Sequence, residues 1–328
     1  MLEYDLVGIG NAMVDVLATV DDAFLGEQSL EKGGMTLIDT GRASEIYAKM
    51  PAVQEVSGGS CGNTMAGFAS LGGKGVFIGK VRDDQLGDVF RYDMQSVGVD
   101  FFTAATTEGP QTGSCLVLIT PDAQRTMCTN LGAASNLTPQ DIDKDIIKSS
   151  KVVYMEGYLF DPPDAQAAFV EAARLAHAAQ RKVSITLSDP FCVDRHRNAF
   201  QMLVADHTDI LFGNEEEIKS LYQVDDFESA MQHVRGQCEI ICLTRGPKGS
   251  VILSGDEVHI IDPLPLDAVV DTTGAGDQFA AGFLFGYTQG MGLRKCGEIA
   301  TLTATEVISH VGARPETSLK MLLEREFG

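Results

Sequence analysis

The sequence predicts an α/β fold: a mostly parallel central sheet covered by helices on both faces, with a small β-sheet beside it. Three observations carry this. Short runs of Val, Ile and Leu recur without the alternation of a half-exposed strand, so both faces of those strands are buried. Stretches with helical spacing separate the runs, as parallel pairing through crossovers requires. Two stretches, roughly residues 13–45 and 101–131, break that rhythm and read as strand and turn.

In chain order, core strands are expected at residues 6–10, 76–79, 151–155, 183–187, 210–212 and 240–243. Helices are expected at 64–71, 85–97, 164–179, 215–222, 227–235, 276–289 and 294–309. Within the irregular stretches, residues 15–20, 34–38 and 113–119 are strand-like, and they emerge from the same end of the early core elements. The pattern allows them to pair into one small projecting sheet. The expected division is therefore 1–12, 46–100 and 132–328 for a large domain, and 13–45 and 101–131 for a small one.

Composition bounds the function. The chain has 328 residues, 44% hydrophobic and 22% charged, which describes a globular protein with ample core. A formal net charge of −21 argues against nucleic acid or an anionic membrane as partner. Any phosphate-rich ligand must then be held by local donors and a divalent metal. The seven cysteines (61, 115, 128, 192, 238, 242 and 296) form no CxxC pair and read as reduced, mostly buried residues. No basic segment followed by an apolar run opens the chain, so a cytoplasmic location is expected.

The glycine-rich motifs are next. Gly8-Ile9-Gly10 follows a strand, but Met13 stands where a dinucleotide fingerprint needs its third glycine, and strand-like residues follow it. No GxxxxGK[ST] is present either. In Gly10-Asn11-Ala12-Met13-Val14-Asp15 the aspartate is either a turn residue or a bidentate acceptor for a vicinal diol. Ser57-Gly58-Gly59-Ser60-Cys61-Gly62-Asn63-Thr64 leads into a helix and suits a phosphate cradle or a hinge equally. Asn214-Glu215-Glu216-Glu217 has the spacing of a capping box. Residues 243–250, with Thr244 and Gly246, join two β-rich segments as a hairpin turn.

The most informative segment is Asp271-Thr272-Thr273-Gly274-Ala275-Gly276-Asp277, running into Gln278-Phe279-Ala280-Ala281-Gly282-Phe283. Small residues put closely approachable backbone N–H groups at the start of an apolar helix, where unpaired donors and the helix dipole favour an anion. Asp277 lies in the first turn. A plain N-terminal acid would occupy that place for about 0.3–1 kcal/mol. A carboxylate beside a bound anion can also accept a proton from a hydroxyl held there, which is the equipment of a kinase acting on an alcohol.

This heptapeptide resembles the second signature of the ribokinase-like (PfkB) carbohydrate and nucleoside kinases, and residues 57–64 are similar to the first. The resemblance implies a ribokinase-like three-layer sandwich with a small β-sheet lid. It implies Asp277 as catalytic base, with the Gly274, Ala275 and Gly276 amides as anion hole and Thr272 on the nucleotide. Gly58 and Gly59 would serve as lid hinge and substrate contact, and Asn63 as a substrate ligand. Glu217 would organise Mg²⁺ through water, with Asn214 nearby, and Thr244 and Gly246 would touch ATP phosphates. The cofactors implied are ATP and Mg²⁺, with a monovalent cation such as K⁺ near Asp271 and Thr273 left open.

Residues 112–134 and 187–215, with the GNxxxD start, are similar to adenosine kinases in particular. That similarity assigns Asn11 and Asp15 to the substrate, Asp15 to its ribose hydroxyls, and Cys115 and Phe191 to an apolar purine pocket. Arg125 would reach from the lid to neutralise phosphate. In Glu156-Gly157-Tyr158-Leu159-Phe160, Leu159 stands where the resemblance places the aromatic that stacks on the base. Tyr158 or Phe160, one position away, would substitute. The expected reaction is phosphorylation of adenosine at its 5′-OH in purine salvage, by a monomer or homodimer with small-molecule partners only. A sugar kinase of the same fold, another nucleoside as acceptor, and a non-catalytic relative are the rivals.

Overall fold

Strands that are apolar on both faces need cover on both, and the chain builds a sheet that has it. The computed structural model describes residues 2–122 and 124–328. Its strands run β1 (Tyr4–Ile9), β2 (Met13–Thr19), β3 (Met35–Leu37), β4 (Gln54–Gly58), β5 (Gly75–Ile78), β6 (Val99–Phe101) and β7 (Gly113–Ile119). They continue with β8 (Arg125–Asn130), β9 (Ser150–Glu156), β10 (Lys182–Thr186), β11 (Ile210–Asn214), β12 (Ile240–Thr244), β13 (Ser250–Ser254) and β14 (Glu257–Ile261). The helices are α1 (Asp22–Glu27), α2 (Thr40–Tyr47), α3 (Ser60–Ser70), α4 (Gln85–Ser96), α5 (Lys144–Ser149) and α6 (Pro163–Ala178). After them come α7 (Pro190–His207), α8 (Glu215–Tyr222), α9 (Phe227–Val234), α10 (Ala275–Thr288), α11 (Leu293–Val307) and α12 (Leu319–Phe327).

Nine strands share the large sheet in the order β14-β13-β12-β11-β10-β9-β1-β5-β6. From β12 to β6 all neighbours are parallel, and β13 and β14 return antiparallel at one edge. Successive side chains point to opposite faces. Leu6, Val152, Ile210 and Ile240 therefore join one buried cluster with Met65 and Phe68 of α3, Phe90 of α4 and Phe283 of α10. Their neighbours Val7, Val153, Leu211 and Ile241 join the other, with Phe169 of α6, Phe200 of α7 and Phe227 of α9. A second sheet, ordered β3-β8-β7-β2-β4, buries Val14, Val16 and Leu116 against the first cluster.

The α/β expectation is met, and three local expectations are corrected. Residues 13–45 contain α1 and most of α2, started by Asp21 and Asp39, whose carboxylates accept from Phe24 N and Arg42 N. These helices are short, so their apolar spacing is hidden among turn residues. Residues 187–209 hold the 18-residue helix α7, which begins with Asp189 as N-cap and Pro190 in the first turn and is kinked at His196 (φ −127°, ψ 25°). The kink breaks the helical spacing of apolar residues. Finally, β4 pairs with β2 in the small sheet, although it lies within the stretch 46–100 expected in the large domain, and Phe101 ends a strand of the large sheet. Among the described residues no helix is long and apolar enough to cross a membrane.

Candidate active site

Parallel strands deliver chemistry at their carboxyl ends, where the chain leaves the sheet in loops. Here the ends of β1, β9, β11 and β12 bring Asn11, Glu156, Asn214 and Thr244 to one edge, with β11 and β12 in register at Asn214 and Thr244. The start of α3 is pressed against this edge. A Cβ on Gly10 would lie 2.4 Å from Cys61 Cβ and 2.5 Å from a Glu156 carboxylate oxygen, so only glycine permits the approach. Glu156 is 1% exposed and accepts from Asn11 Nδ2 at 2.7 Å and from Cys61 N at 2.8 Å. Burial pushes its carboxyl up to about 7, with those bonds opposing. Asn11 Oδ1 is buried with no partner among the described residues.

Asp15 stands on β2 beside Cys115 of β7. Burial raises its carboxyl to about 6, while the charges of Arg314 and Arg125 lower it. The Cys115 thiol is pushed up to about 12 by burial and by Asp15, so it stays neutral, an apolar wall. A Cβ on Gly58 would fall 2.5 Å from the Asp15 carboxylate. Gly59 has φ 81°, a backbone that favours glycine, and caps α3.

Asp277 sits in the first turn of α10, the helix that starts at Gly274 in a left-handed conformation (φ 79°). Ser60 Oγ donates to Asp277 Oδ1 at 2.6 Å and Asn63 Nδ2 to Oδ2 at 3.1 Å. Burial pushes the carboxyl up to about 6; the Ser60 and Asn63 bonds and the Arg314 charge pull it down, and Asp15 adds to the rise. The result is a carboxylate that is still ionised at neutral pH and more basic than an exposed one.

On the anion side, Ala275 N donates to Thr272 O at 3.2 Å, while Gly274 and Gly276 N have no acceptor among the described residues. Of the three amides expected to form an anion hole, the middle one is thus already engaged. A Cβ on Gly276 would meet nothing within 4 Å, as would one on Gly246 (φ 54°), so both backbones face open space. Arg125 Nη1 pairs with Asp271 Oδ2 at 2.9 Å, joining the small sheet to the loop before α10. Asp271 also accepts from Thr273 N and Oγ1 and from Gly312 N. The carboxylate thus accepts three hydrogen bonds beside its ion pair with Arg125.

Asn214 and Glu217 form the capping box in full: Asn214 Oδ1 accepts from Glu216 N and Glu217 N, and Glu217 accepts from Asn214 N and Nδ2. Burial, with the nearby Asp189 charge, pushes the Glu217 carboxyl up to about 7. Among the described residues no group of three or more His, Cys, Asp or Glu side chains could hold a metal by itself.

The three residues after Gly157 differ in exposure. Leu159 and Phe160 are buried in the core, Phe160 against Phe169 and Phe200. Tyr158 is the aromatic on the site side. Burial and the charges of Asp189, Glu217, Asp277 and Glu156 push its hydroxyl far up. Phe191, expected beside Cys115 in an apolar pocket, is 74% exposed in the first turn of α7, with its side chain off the core. Asn63, expected on the substrate, uses its amide on Asp277 and Arg314. Sequence reasoning missed Ser60, Glu156 and Arg314. Ser60 and Glu156 lay inside quoted motifs, but their partners are far away in sequence, and no local pattern marks Arg314.

Known proteins are similar to this chain over nearly all of it. The pfkB family carbohydrate kinase matches residues 27–319. The adenosine kinase of Saccharomyces cerevisiae is 29% identical over 94% of this chain and 95% of its own length. Among solved structures, the adenosine kinase from Sinorhizobium meliloti is 45% identical with a TM-score of 0.89, covering 98% of this chain and 99% of that one. A probable sugar kinase from Rhizobium etli is 44% identical with a TM-score of 0.90, covering 99% of both.

Proposed function

The chain belongs to the pfkB family of carbohydrate kinases, phosphotransferases with an alcohol as acceptor, and from that premise we propose that it phosphorylates the 5′-OH of adenosine with ATP to give AMP. The observation that carries the proposal is Asp277, a carboxylate held by Ser60 and Asn63 in the first turn of α10, beside amides that lack an acceptor. Asp277 accepts the proton as the hydroxyl attacks; a positioned base contributes about 10²–10⁴-fold. The Gly274 and Gly276 amides stabilise charge on the transferring phosphoryl, with Thr272, Thr244 and Gly246 along the nucleotide. Asp15 orients the acceptor by taking two hydroxyl donors, in the space that Gly58 leaves.

The residues present fit Mg²⁺ in the way kinases hold it, through one carboxylate, water and phosphates. Glu217, whose oxygens each keep a lone pair beyond their Asn214 bond, would hold it through water. When bound, the metal neutralises charge between phosphate oxygens. The nucleoside reading is supported by the similarity to adenosine kinases, by the neutral Cys115 wall and by Tyr158 at the aromatic position. We place the protein in the cytoplasm, as a monomer or homodimer.

One observation favours a sugar acceptor instead. The buried Asn11–Glu156 pair, with Asn11 Oδ1 unsatisfied, gives the site a polar floor that a small polyol could use. Coupled ADP release with Mg-ATP against adenosine, inosine, guanosine, cytidine, ribose, fructose and no acceptor separates the readings. Turnover of adenosine at micromolar concentration supports the proposal. Turnover of a free sugar with none on nucleosides would replace it, leaving the role of Asp277 intact.

A further inference from the structure

The C-terminal loop that follows α11 sends one guanidinium into this site, and no motif accounts for it. Arg314 Nε donates to Asn63 Oδ1 at 3.1 Å and Arg314 Nη1 to Ser57 Oγ at 2.8 Å, while Nη2 lies 3.9 Å from Met94 Sδ. Asn63 therefore stands between a group that can only donate and a carboxylate that, when ionised, can only accept. Its amide has one orientation that satisfies both, with Oδ1 toward Arg314 and Nδ2 toward Asp277. Ser57 is the residue before the Gly58-Gly59 pair, and its own N–H is held by Asp93 of α4 at 2.8 Å. The arginine thus bridges the C-terminal loop, the first turn of α3 and the end of the small-sheet strand β4.

We infer that Arg314 is a positioning residue for phosphoryl transfer, which fixes the Asn63 amide so that it donates to Asp277 and ties that arrangement to the hinge strand. The inference rests on the kinase reading above. A residue in this role need not touch either substrate. It keeps the base turned toward the acceptor and keeps it ionised among like charges. The charged and titratable groups facing this cluster come from several elements: Asp15 from β2, Asp93 from α4, Arg125 from β8, Cys61 from α3, and Tyr154, Glu156 and Tyr158 from the end of β9 and the turn after it. Four carboxylates (Asp15, Asp93, Glu156 and Asp277) share the cluster with two guanidinium groups, Arg314 and Arg125. Removing one guanidinium leaves that balance strongly negative.

The test compares wild type, Arg314→Gln and Arg314→Lys by the pH dependence of kcat/KM for adenosine, with thermal melts to confirm folding. Asp277 accepts a proton only when ionised, so activity falls as pH drops through its titration. For Arg314→Gln the acid limb is expected to move up by about one pH unit, as loss of a nearby opposite charge requires. The acceptor KM should rise roughly tenfold, because released Asn63 no longer holds its second Nδ2 hydrogen, the one not given to Asp277, toward an acceptor hydroxyl. Arg314→Lys keeps the charge and loses the planar fork. It should return the limb close to wild type while leaving KM raised. A folded Arg314→Gln protein with the wild-type limb and KM would overturn the inference alone. If Arg314→Gln does not fold, Arg314→Lys with wild-type KM would overturn it. A wild-type protein that turns over no acceptor would overturn the kinase reading, and this inference with it.

Discussion

Asp277 faces opposing demands. As the proposed base it must be ionised at working pH, yet basic enough to take a proton from an alcohol. Burial alone would carry its carboxyl too high, and the donors Ser60 and Asn63 with the Arg314 charge bring it back to about 6. The sign follows directly: below that pH the group is protonated and cannot act as base, so the wild-type rate is expected to fall on the acid side through about 6. Steady-state kinetics across pH 5–8 would check this; a flat profile there would remove Asp277 from the base role. Asp277→Asn should bind both substrates, as measured by calorimetry, while kcat drops about 10²–10⁴-fold. Near-normal turnover in that variant would contradict the mechanism.

At the scale of elements, α10 is where packing and chemistry meet. It is buried between α3 and α11, and its glycine lets a neighbour approach: a Cβ on Gly282 would fall 2.8 Å from Ala300 Cα and 2.5 Å from Thr303 Oγ1. Gly282→Ala is expected to destabilise by about 1–3 kcal/mol, since added volume in a packed core forces backbone shifts. A calorimetric Tm lower by roughly 2–6 °C would match that estimate; an unchanged Tm would mean that α11 can move aside freely. The second contact at this scale joins β8 to the loop before α10, through Arg125 and Asp271. Arg125→Ala removes that tie and, in the proposed reaction, a phosphate-side cation with it. Acceptor-dependent kcat should fall roughly tenfold, and ADP release without acceptor should become a larger share of turnover, because water is less well excluded. Unchanged partitioning would show that the small sheet needs no such tie.

For the whole molecule, the dominant feature is the charge of −21. In the proposed reaction Mg-ATP carries negative charge and would meet that field before it met Arg125 or the α10 amides. Raising ionic strength from about 0.01 M to 0.15 M shortens the screening length from about 30 to 8 Å. The KM for Mg-ATP is therefore expected to fall by roughly twofold over that range, the reverse of a site dominated by basic residues. A KM that rises with salt would show that local cations outweigh the global field.

Much of this was legible along the chain. Runs such as Val183 to Leu187 and the helical spacing between them determined a parallel sheet with two covered faces, because an apolar strand leaves no other arrangement. The glycines before Asp277 and the Asn214–Glu217 box could be read locally, since a helix start depends on a few consecutive residues. Helix α7 was harder: its kink at His196 hides the spacing, although Asp189-Pro190 announces its first turn. The pairing of donors with the base is of another kind. Ser60 lies 217 residues from Asp277, and Arg314 lies 251 residues from Asn63. Nothing in the backbone preferences of those residues calls for a partner. Which buried carboxylate meets which donor, whether it is Tyr158 or Leu159 that faces the site, and the exposure of Phe191 follow only from how the helices close over the ends of β1 and β9. The sequence by itself determined the architecture and the place of Asp277, the proposed base, in the first turn of α10; tertiary packing decided what surrounds its carboxylate, because burial and distant donors act through space and leave no local pattern in the chain.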